Sequence, residues 1–445
     1  MDWLRRSMRP LALLLVIALL AACGNGASEE PADTTAAAQS DTTGDGGETP
    51  AEPTGEPIKV GFLVDQTGAL AAYGYAHELV GRAAVETINA QGGVNGRPLE
   101  LVIEDTESDP SVAAPKARRL VESEGVDFLL GSNTSAVVGA VVPIAEELET
   151  VYFPTAGGAL LTEPGKGNRY VFDFNTNVKQ EVRGVLSFID SQLDADTWMT
   201  AVVDYSWGWD NEQTFVEEAE AMGIEVANTL RVPLGEANWL AHLQGQIPEG
   251  VEGIYFANFG TDFLSFIEAL GTLAPDIERI GANYVLSGQD LGAIPNGDGI
   301  HAITGYPQFS SAIDSEWDRQ FREIAGIDEF GAEASTGEPL VSSYHWSTWE
   351  ALWGIKEVIE ASGWESKDDT CEFITTLEGF QFEEGLAHPE GPKHFRPEDH
   401  LSVKGAWIEV LEGGELQIAA RIDAEDMVYD PVVNYPEDQP LDCES

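Results

Sequence analysis

Val126 to Ser135, VDFLLGSNTS, is the stretch whose reading decides the fold. Phe128 to Leu130 is a short apolar run of the kind that forms a buried parallel strand. It ends at Gly131, and four small polar residues follow before apolar periodicity resumes at helical spacing. Strand, loop and helix N-terminus therefore follow one another within ten residues. In an open α/β sheet, ligands sit beyond the carboxyl ends of the strands, where helix N-termini present unpaired backbone N–H groups. Ser132, Asn133, Thr134 and Ser135 add side-chain donors and acceptors at that place. Two readings stand at this point: a Ser or Thr that caps the helix Ala136 to Glu147, or a loop that touches a ligand.

Outward from this stretch the same alternation recurs. Upstream, Ile58 to Val64 reads as a strand that feeds the loop DQTGALAAYG and a helix from about Ala76 to Gln91, with Val80, Ala84 and Ile88 on one face. Gly92-Gly93 stops that helix, Asn95-Gly96 turns the chain into the strand Leu99 to Ile103, and Asp109-Pro110 starts a second helix. Pro115 lies too deep for that start, so the helix begins later or is kinked. Downstream, Val151 to Phe153 is a fourth strand, ended by Pro154-Thr155-Ala156-Gly157-Gly158. The rhythm then restarts, with strands at Trp198 to Val203, Val226 to Val232, Gly253 to Phe256 and Arg279 to Ala282. Helices at Glu212 to Met222, Trp239 to Gln246 and Asp262 to Leu273 lie between them. Late in the chain come a long helix, Val341 to Ala361, and a hairpin, Gly405 to Leu411 with Leu416 to Ile422. Alternating strands and helices predict α/β lobes with parallel sheets covered on both faces. Two lobes with facing strand-end loops make a cleft, a preferred place for a small ligand.

The first 23 residues are set aside as a targeting segment: Arg5, Arg6 and Arg9 precede the apolar run Leu11 to Leu20, and Leu20-Ala21-Ala22-Cys23 is similar to a bacterial lipobox. That pattern implies cleavage before Cys23 and lipidation of its thiol, anchoring the mature protein outside the cytoplasmic membrane. The apolar run is too short to span a bilayer. Gly24 to Pro57 carries almost no large apolar residue and is expected to be a disordered acidic tether, with folded structure from about Ile58. A net charge of -54 argues against nucleic acid or an anionic membrane surface as a partner. The carboxylates are scattered, which fits a solvated surface suited to high salt.

Motifs for catalysis are missing. There is no GxSxG elbow, no HExxH, no paired CxxC and no GxxxxGK, because Leu160 stands where a first glycine would precede Lys166. His388, His394 and His400 fall close together but without metal-site spacing, so they read as part of a solvated loop. No enzyme, metal or cofactor is expected.

The stretches VGFLVDQTGALAAYG, INAQGGVNGRPLELVIED, ESDP, LLGSNTS, FPTAGG, VVDYSWG and FRPEDH, in this order, resemble the solute-binding proteins of the branched-chain and hydrophobic amino-acid ABC transporter class. The resemblance covers about Ile58 to Ile422. It implies a type I periplasmic-binding fold: two Rossmann-like lobes joined by three crossovers, closing on a small-molecule ligand and docking the permease subunits of an ABC importer, as a monomer. By analogy the first lobe takes 58–176 and 303–379, the second takes 177–302 and 380–422, and a tail follows from 423. Ligand contacts carry over as Tyr73, Ser135 helped by the backbone of Asn133 and Thr134, and Thr155. Gly157 stands where the family usually has Ser or Thr, and Trp207 where it usually has Tyr. The acid that pairs a ligand ammonium falls at Asn283, with Asp204 or Asp262 as substitutes, and Phe259 is a further apolar wall. Hydrophobic amino acids are the first expected ligands, uncharged amides and aromatic carboxylates the second.

Two rivals remain. A signalling sensor uses the same fold with a separate membrane partner, and a lipid-anchored hydrolase would use the Ser and Thr loops beside Asp204 and Asp210. Once Cys23 is lipidated, Cys371 and Cys443 are the two remaining thiols, and an extracytoplasmic location favours a disulfide between them.

Overall fold

A computed structural model describes residues 52–156, 160–309, 311, 313–340, 345–441 and 443. The lipobox with Cys23, the tether as far as Ala51, Gly157 and the first turn expected at Val341 to Tyr344 lie outside the described residues. Ordered contacts begin slightly before Ile58: the N–H groups of Thr54 and Gly55 donate to the carbonyl of Gly96.

The first lobe is built on a four-stranded parallel sheet of β1 (Ile58–Val64), β2 (Leu99–Asp105), β3 (Phe128–Gly131) and β4 (Tyr152–Phe153), in the order β2-β1-β3-β4. Helices α1 (Ala71–Ala90), α2 (Pro110–Glu122) and α3 (Ser135–Glu147) connect them. Pro115 is accommodated inside α2, and Asp109 caps that helix by accepting from Ser111 N. The second lobe opens with α4 (Val178–Gln192), whose Asn177 and Gln180 form a reciprocal capping box. Its sheet combines β5 (Thr197–Val203), β6 (Glu225–Val232), β7 (Gly253–Ala257), β8 (Glu278–Gly281) and β9 (Ile300–Thr304) in parallel, with α5 (Ser206–Met222), α6 (Trp239–Leu243) and α7 (Gly260–Leu273) between strands. The chain then returns to the first lobe with α8 (Glu316–Ala325), α9 (His345–Ser362) and α10 (Thr370–Leu377). A small antiparallel sheet follows: β10 (Gln381–Phe382), β11 (Lys393–Phe395) and β12 (Ser402–Val403). The hairpin β13 (Ala406–Glu412) and β14 (Glu415–Ile422) adds antiparallel to β9, completing the second sheet as β14-β13-β9-β8-β7-β5-β6. Short helices α11 (Ala424–Met427) and α12 (Tyr435–Asp438) end the fold, with Met427 and Tyr435 buried.

Three passages join the lobes, between Phe174 and Val178, between Ile303 and Tyr306, and between Phe395 and Ala406, as the membership of the two cores shows. The last differs from the expected switch at Gly379. Phe382 and Phe395 pack with Phe174 in the first lobe's core, because apolar side chains follow the nearest unfilled core rather than the family boundary. Cys371 on α10 and Cys443 are joined, with Cα atoms 5.4 Å apart.

Two helices begin earlier than periodicity indicates. A Cβ at Gly74 would lie 2.1 Å from the Asp65 carbonyl oxygen, and one at Gly208 would lie 1.9 Å from that of Val203. Glycine therefore lets the first turns of α1 and α5 sit directly on the carboxyl ends of β1 and β5, the close helix–strand approach of nucleotide-binding folds. Tyr73 and Trp207, each just before its glycine, are carried to equivalent places in the two lobes.

Candidate ligand cleft between the lobes

A small cavity of about 50 Å³ lies where the strand ends of the two lobes face each other. Leu70, Tyr73, Asn133, Ser135 and Ala156 line it from the first lobe, and Tyr205, Trp207, Phe259, Asn283 and Tyr284 from the second. Six of the nine residues expected at the site are thus brought together.

The walls are aromatic. Tyr73 meets Phe259 edge-on across the cleft, ring centroids 6.2 Å apart, and Phe259 also packs against Trp207 at 5.8 Å and Tyr205 at 6.3 Å. Burial holds the Tyr73 and Tyr205 hydroxyls well above their ordinary pKa, so both stay neutral and able to donate. Among the described lining residues none carries a charge.

Asp65, at the end of β1, organises the opening loop. Its Oδ1 accepts from Thr106 Oγ1 (2.5 Å) and Thr134 Oγ1 (3.1 Å), and its Oδ2 from Ser132 Oγ (2.8 Å) and the Asn133 N–H (3.0 Å). The Thr134 N–H donates to Ser132 Oγ at 3.2 Å. The backbone N–H groups of Asn133 and Thr134, expected to help hold a ligand carboxylate, are thus engaged within the protein, and the Thr134 hydroxyl faces Asp65. Thr134 occupies the cap position of α3 without a side-chain capping bond. Ser135, the first residue of α3, lines the cavity, and the N–H groups of that first turn lack intrahelical acceptors. Thr155 is buried with Oγ1 unpartnered and does not line the cavity.

Neither proposed substitute for the ammonium acid lies on the wall. Asp204 is exposed and accepts from Trp209 Nε1 at 2.6 Å. Asp262 is consumed by the N–H groups of Gly235 (2.9 Å) and Glu236 (3.0 Å) and by Trp239 Nε1 (3.3 Å). Asn283 is buried, and its Nδ2 donates to Glu181 Oε1 at 2.5 Å, while its own Oδ1 has no partner. Burial raises the Glu181 carboxyl to about 8, opposed by the hydrogen bonds from Asn283 and Thr176. Behind Asn283 therefore stands a neutral carboxyl at neutral pH. Further unpartnered polar atoms lie at neighbouring strand ends and helix starts, in Ser206 Oγ and both amide atoms of Asn258.

The three late histidines are not a solvated loop. His388 is buried between Glu350 and Glu357 and His400 stacks on Phe172 at 3.8 Å while contacting Glu378; only His394 is partly exposed. Their neighbouring carboxylates pair them inside the first lobe, a context spacing does not reveal. No metal-ligating cluster occurs among the described residues.

With this geometry established, the sequence from residue 57 to 415 matches the periplasmic binding protein family, and the chain belongs to it. A Leu/Ile/Val-binding protein homolog of Brucella melitensis is 24% identical over 362 residues, covering 79% of this chain and 86% of that protein. Among solved structures, a solute-binding protein of an ABC transporter from R. palustris, in complex with benzoate, aligns with a TM-score of 0.70. It shares 22% identity, over 85% of this chain and 99% of its own. The branched-chain amino-acid transporter protein LivJ of Streptococcus pneumoniae, in complex with isoleucine, aligns at 0.68 with 20% identity, over 82% and 99% of the two chains. These two likenesses establish the type I two-lobe architecture.

Proposed function

We propose that the protein is a lipid-anchored extracytoplasmic receptor that captures a small solute with a carboxylate or amide head and an apolar body, for delivery to an ABC importer. The observation that carries this reading is the uncharged cavity walled by Tyr73, Tyr205, Trp207 and Phe259. Such rings suit a flat or branched apolar body. Ser135 Oγ and the first turn of α3 offer donors to a carboxylate or carbonyl oxygen. The absence of charge among the described lining residues moves the preference from amino acids toward aromatic carboxylates and amides, since a buried ammonium without a counter-charge is costly. The benzoate complex of a relative in fold is in keeping with that order.

Mass spectrometry of solute carried through native purification identifies the ligand class, and calorimetry on the delipidated protein with benzoate, isoleucine and glucose tests it. Benzoate is expected to bind most tightly, and Ser135→Ala to weaken it by about 1.5–3 kcal/mol, the value of a hydrogen bond to a charged group. Preference for glucose, or full affinity in Ser135→Ala, overturns the reading.

A further inference from the structure

Among the described lining residues, Asn283 is the one with a buried side-chain acceptor that the protein leaves unused. Its amide is oriented from behind: Nδ2 donates to Glu181 Oε1, and the same oxygen accepts from Thr176 Oγ1 at 2.9 Å. Glu181 lies in the first turn of α4 and Thr176 in the passage between the lobes, so the anchor is part of the lobe junction. All three side chains are at most 3% exposed. With Nδ2 held by Glu181, the carbonyl Oδ1 is left buried without a protein partner, in a residue that lines the cavity. A buried amide carbonyl without a donor costs free energy, and a solute can supply that donor.

We propose that Asn283, set by Glu181 as its positioning residue, is a specificity determinant that selects solutes carrying an uncharged O–H or N–H donor in addition to the carboxylate or amide head. The inference rests on the solute class proposed above and narrows it. A solute without the donor leaves Asn283 Oδ1 unpaired. A solute with an ammonium places a full charge against a neutral carbonyl, and no carboxylate among the described lining residues meets it. A hydroxyl or amide N–H satisfies the acceptor at no cost in buried charge. A site built around such a bond rejects the analogue lacking it more strongly than an apolar pocket rejects a missing methylene.

Calorimetry on the delipidated protein with two matched sets tests this: 3-phenylpropanoate, 3-phenyllactate and phenylalanine, then benzoate and 4-hydroxybenzoate. The sets place the hydroxyl near the head and far from it. In at least one set the hydroxylated acid should bind roughly tenfold or more tightly than its parent, and phenylalanine no more tightly than phenyllactate. Asn283→Leu should erase the hydroxyl preference, read as the ratio of the affinities for hydroxylated and parent acid. Glu181→Leu should shrink the preference and Glu181→Gln, which retains an acceptor for Nδ2, should restore it; a purely structural role for Glu181 would alter all probes alike. Equal binding of parent and hydroxylated acids in the unmodified protein, tightest binding of phenylalanine, or an undiminished preference in Asn283→Leu overturns the inference alone. Binding of none of the five probes overturns the solute class on which it rests.

Discussion

Replacing Asp65 should damage both the fold and the site, by an amount that follows from its four hydrogen bonds. In Asp65→Ala the Asn133 N–H loses its acceptor, and a buried unsatisfied donor costs about 1–3 kcal/mol. The hydroxyls of Thr106, Ser132 and Thr134 can rotate toward other acceptors, so each loses only the margin between a charged and a neutral partner, about 0.5–1 kcal/mol. Relief from burying a carboxylate offsets part of this, leaving a net loss of about 2–4 kcal/mol. Asp65→Asn is gentler: the amide oxygen can keep the Oδ2 position, with Ser132 and the Asn133 N–H, while its NH2 faces two hydroxyls able to accept. The expected loss is about 1–2 kcal/mol. Urea unfolding followed by tryptophan fluorescence reads the stability, and calorimetry with benzoate reads the site. Because Asp65 fixes the loop that presents Asn133 and Ser135, affinity should fall in the same order, at least tenfold in Asp65→Ala. A stability within 1 kcal/mol of the parent, or unchanged affinity in Asp65→Ala, would refute the assignment of this carboxylate as the organiser of the loop.

Removing the Cys371–Cys443 link, 72 residues apart, by Cys443→Ser should cost on the order of 4 kcal/mol in unfolding free energy; two free thiols on the unreduced, unfolded protein would end the idea. Cys23→Ser should shift the protein from the membrane to the soluble or unprocessed fraction, and unchanged membrane attachment speaks against the lipid anchor. Between pH ~6.5 and ~8 stability should decline. Burial holds Glu181 and Asp173 protonated to about 8 and Glu409 to about 7, whereas all three are ionised in the unfolded chain, so the native state binds more protons and loses stability as pH rises. His301 and His345, lowered by burial, act oppositely but only below ~6.5. Urea unfolding at several pH values in that window should show the fall, flattened in Glu181→Gln, and a constant or rising stability contradicts it. Solution scattering should show a more compact particle with bound ligand than without, because a solute touching both lobes favours the closed form.

The repeating strand–helix pattern was legible because buried parallel strands write themselves as short apolar runs and their helices as four-residue repeats. The hairpin β13–β14 was equally plain from Glu412 to Glu415. Helix starts were not. Tyr73 and Trp207 lie inside first turns whose cap positions, Leu70 and Tyr205, make no side-chain capping bond, and there Gly74 and Gly208 let the turn approach a strand carbonyl. Asp65 carried a readable signal, a carboxylate at the end of a buried strand. Glu181 carried none: in NVKQEV it is indistinguishable from any exposed acid of a helical first turn, and only the long-range contact with Asn283 reveals its place. The histidines failed for the same reason, since Glu350, Glu357 and Glu378 reach them from distant segments.

A chain carrying a net charge of -54 is an unpromising host for an anionic head, and the structure separates the two facts by distance. Charge on exposed side chains acts through water, and at physiological ionic strength it is screened over about 8 Å. The donors offered by Ser135 and the first turn of α3 act at hydrogen-bond range, inside a wall free of charge among the described residues. Three carboxyls at strand-end loops and helix starts are withdrawn from the balance: Asp65 and Asp262 are covered by donors, and burial pushes Glu181 up to about 8. The acidic surface therefore governs solubility and the salt dependence of encounter, while selection is left to the short-range pairing of each polar atom in the cleft.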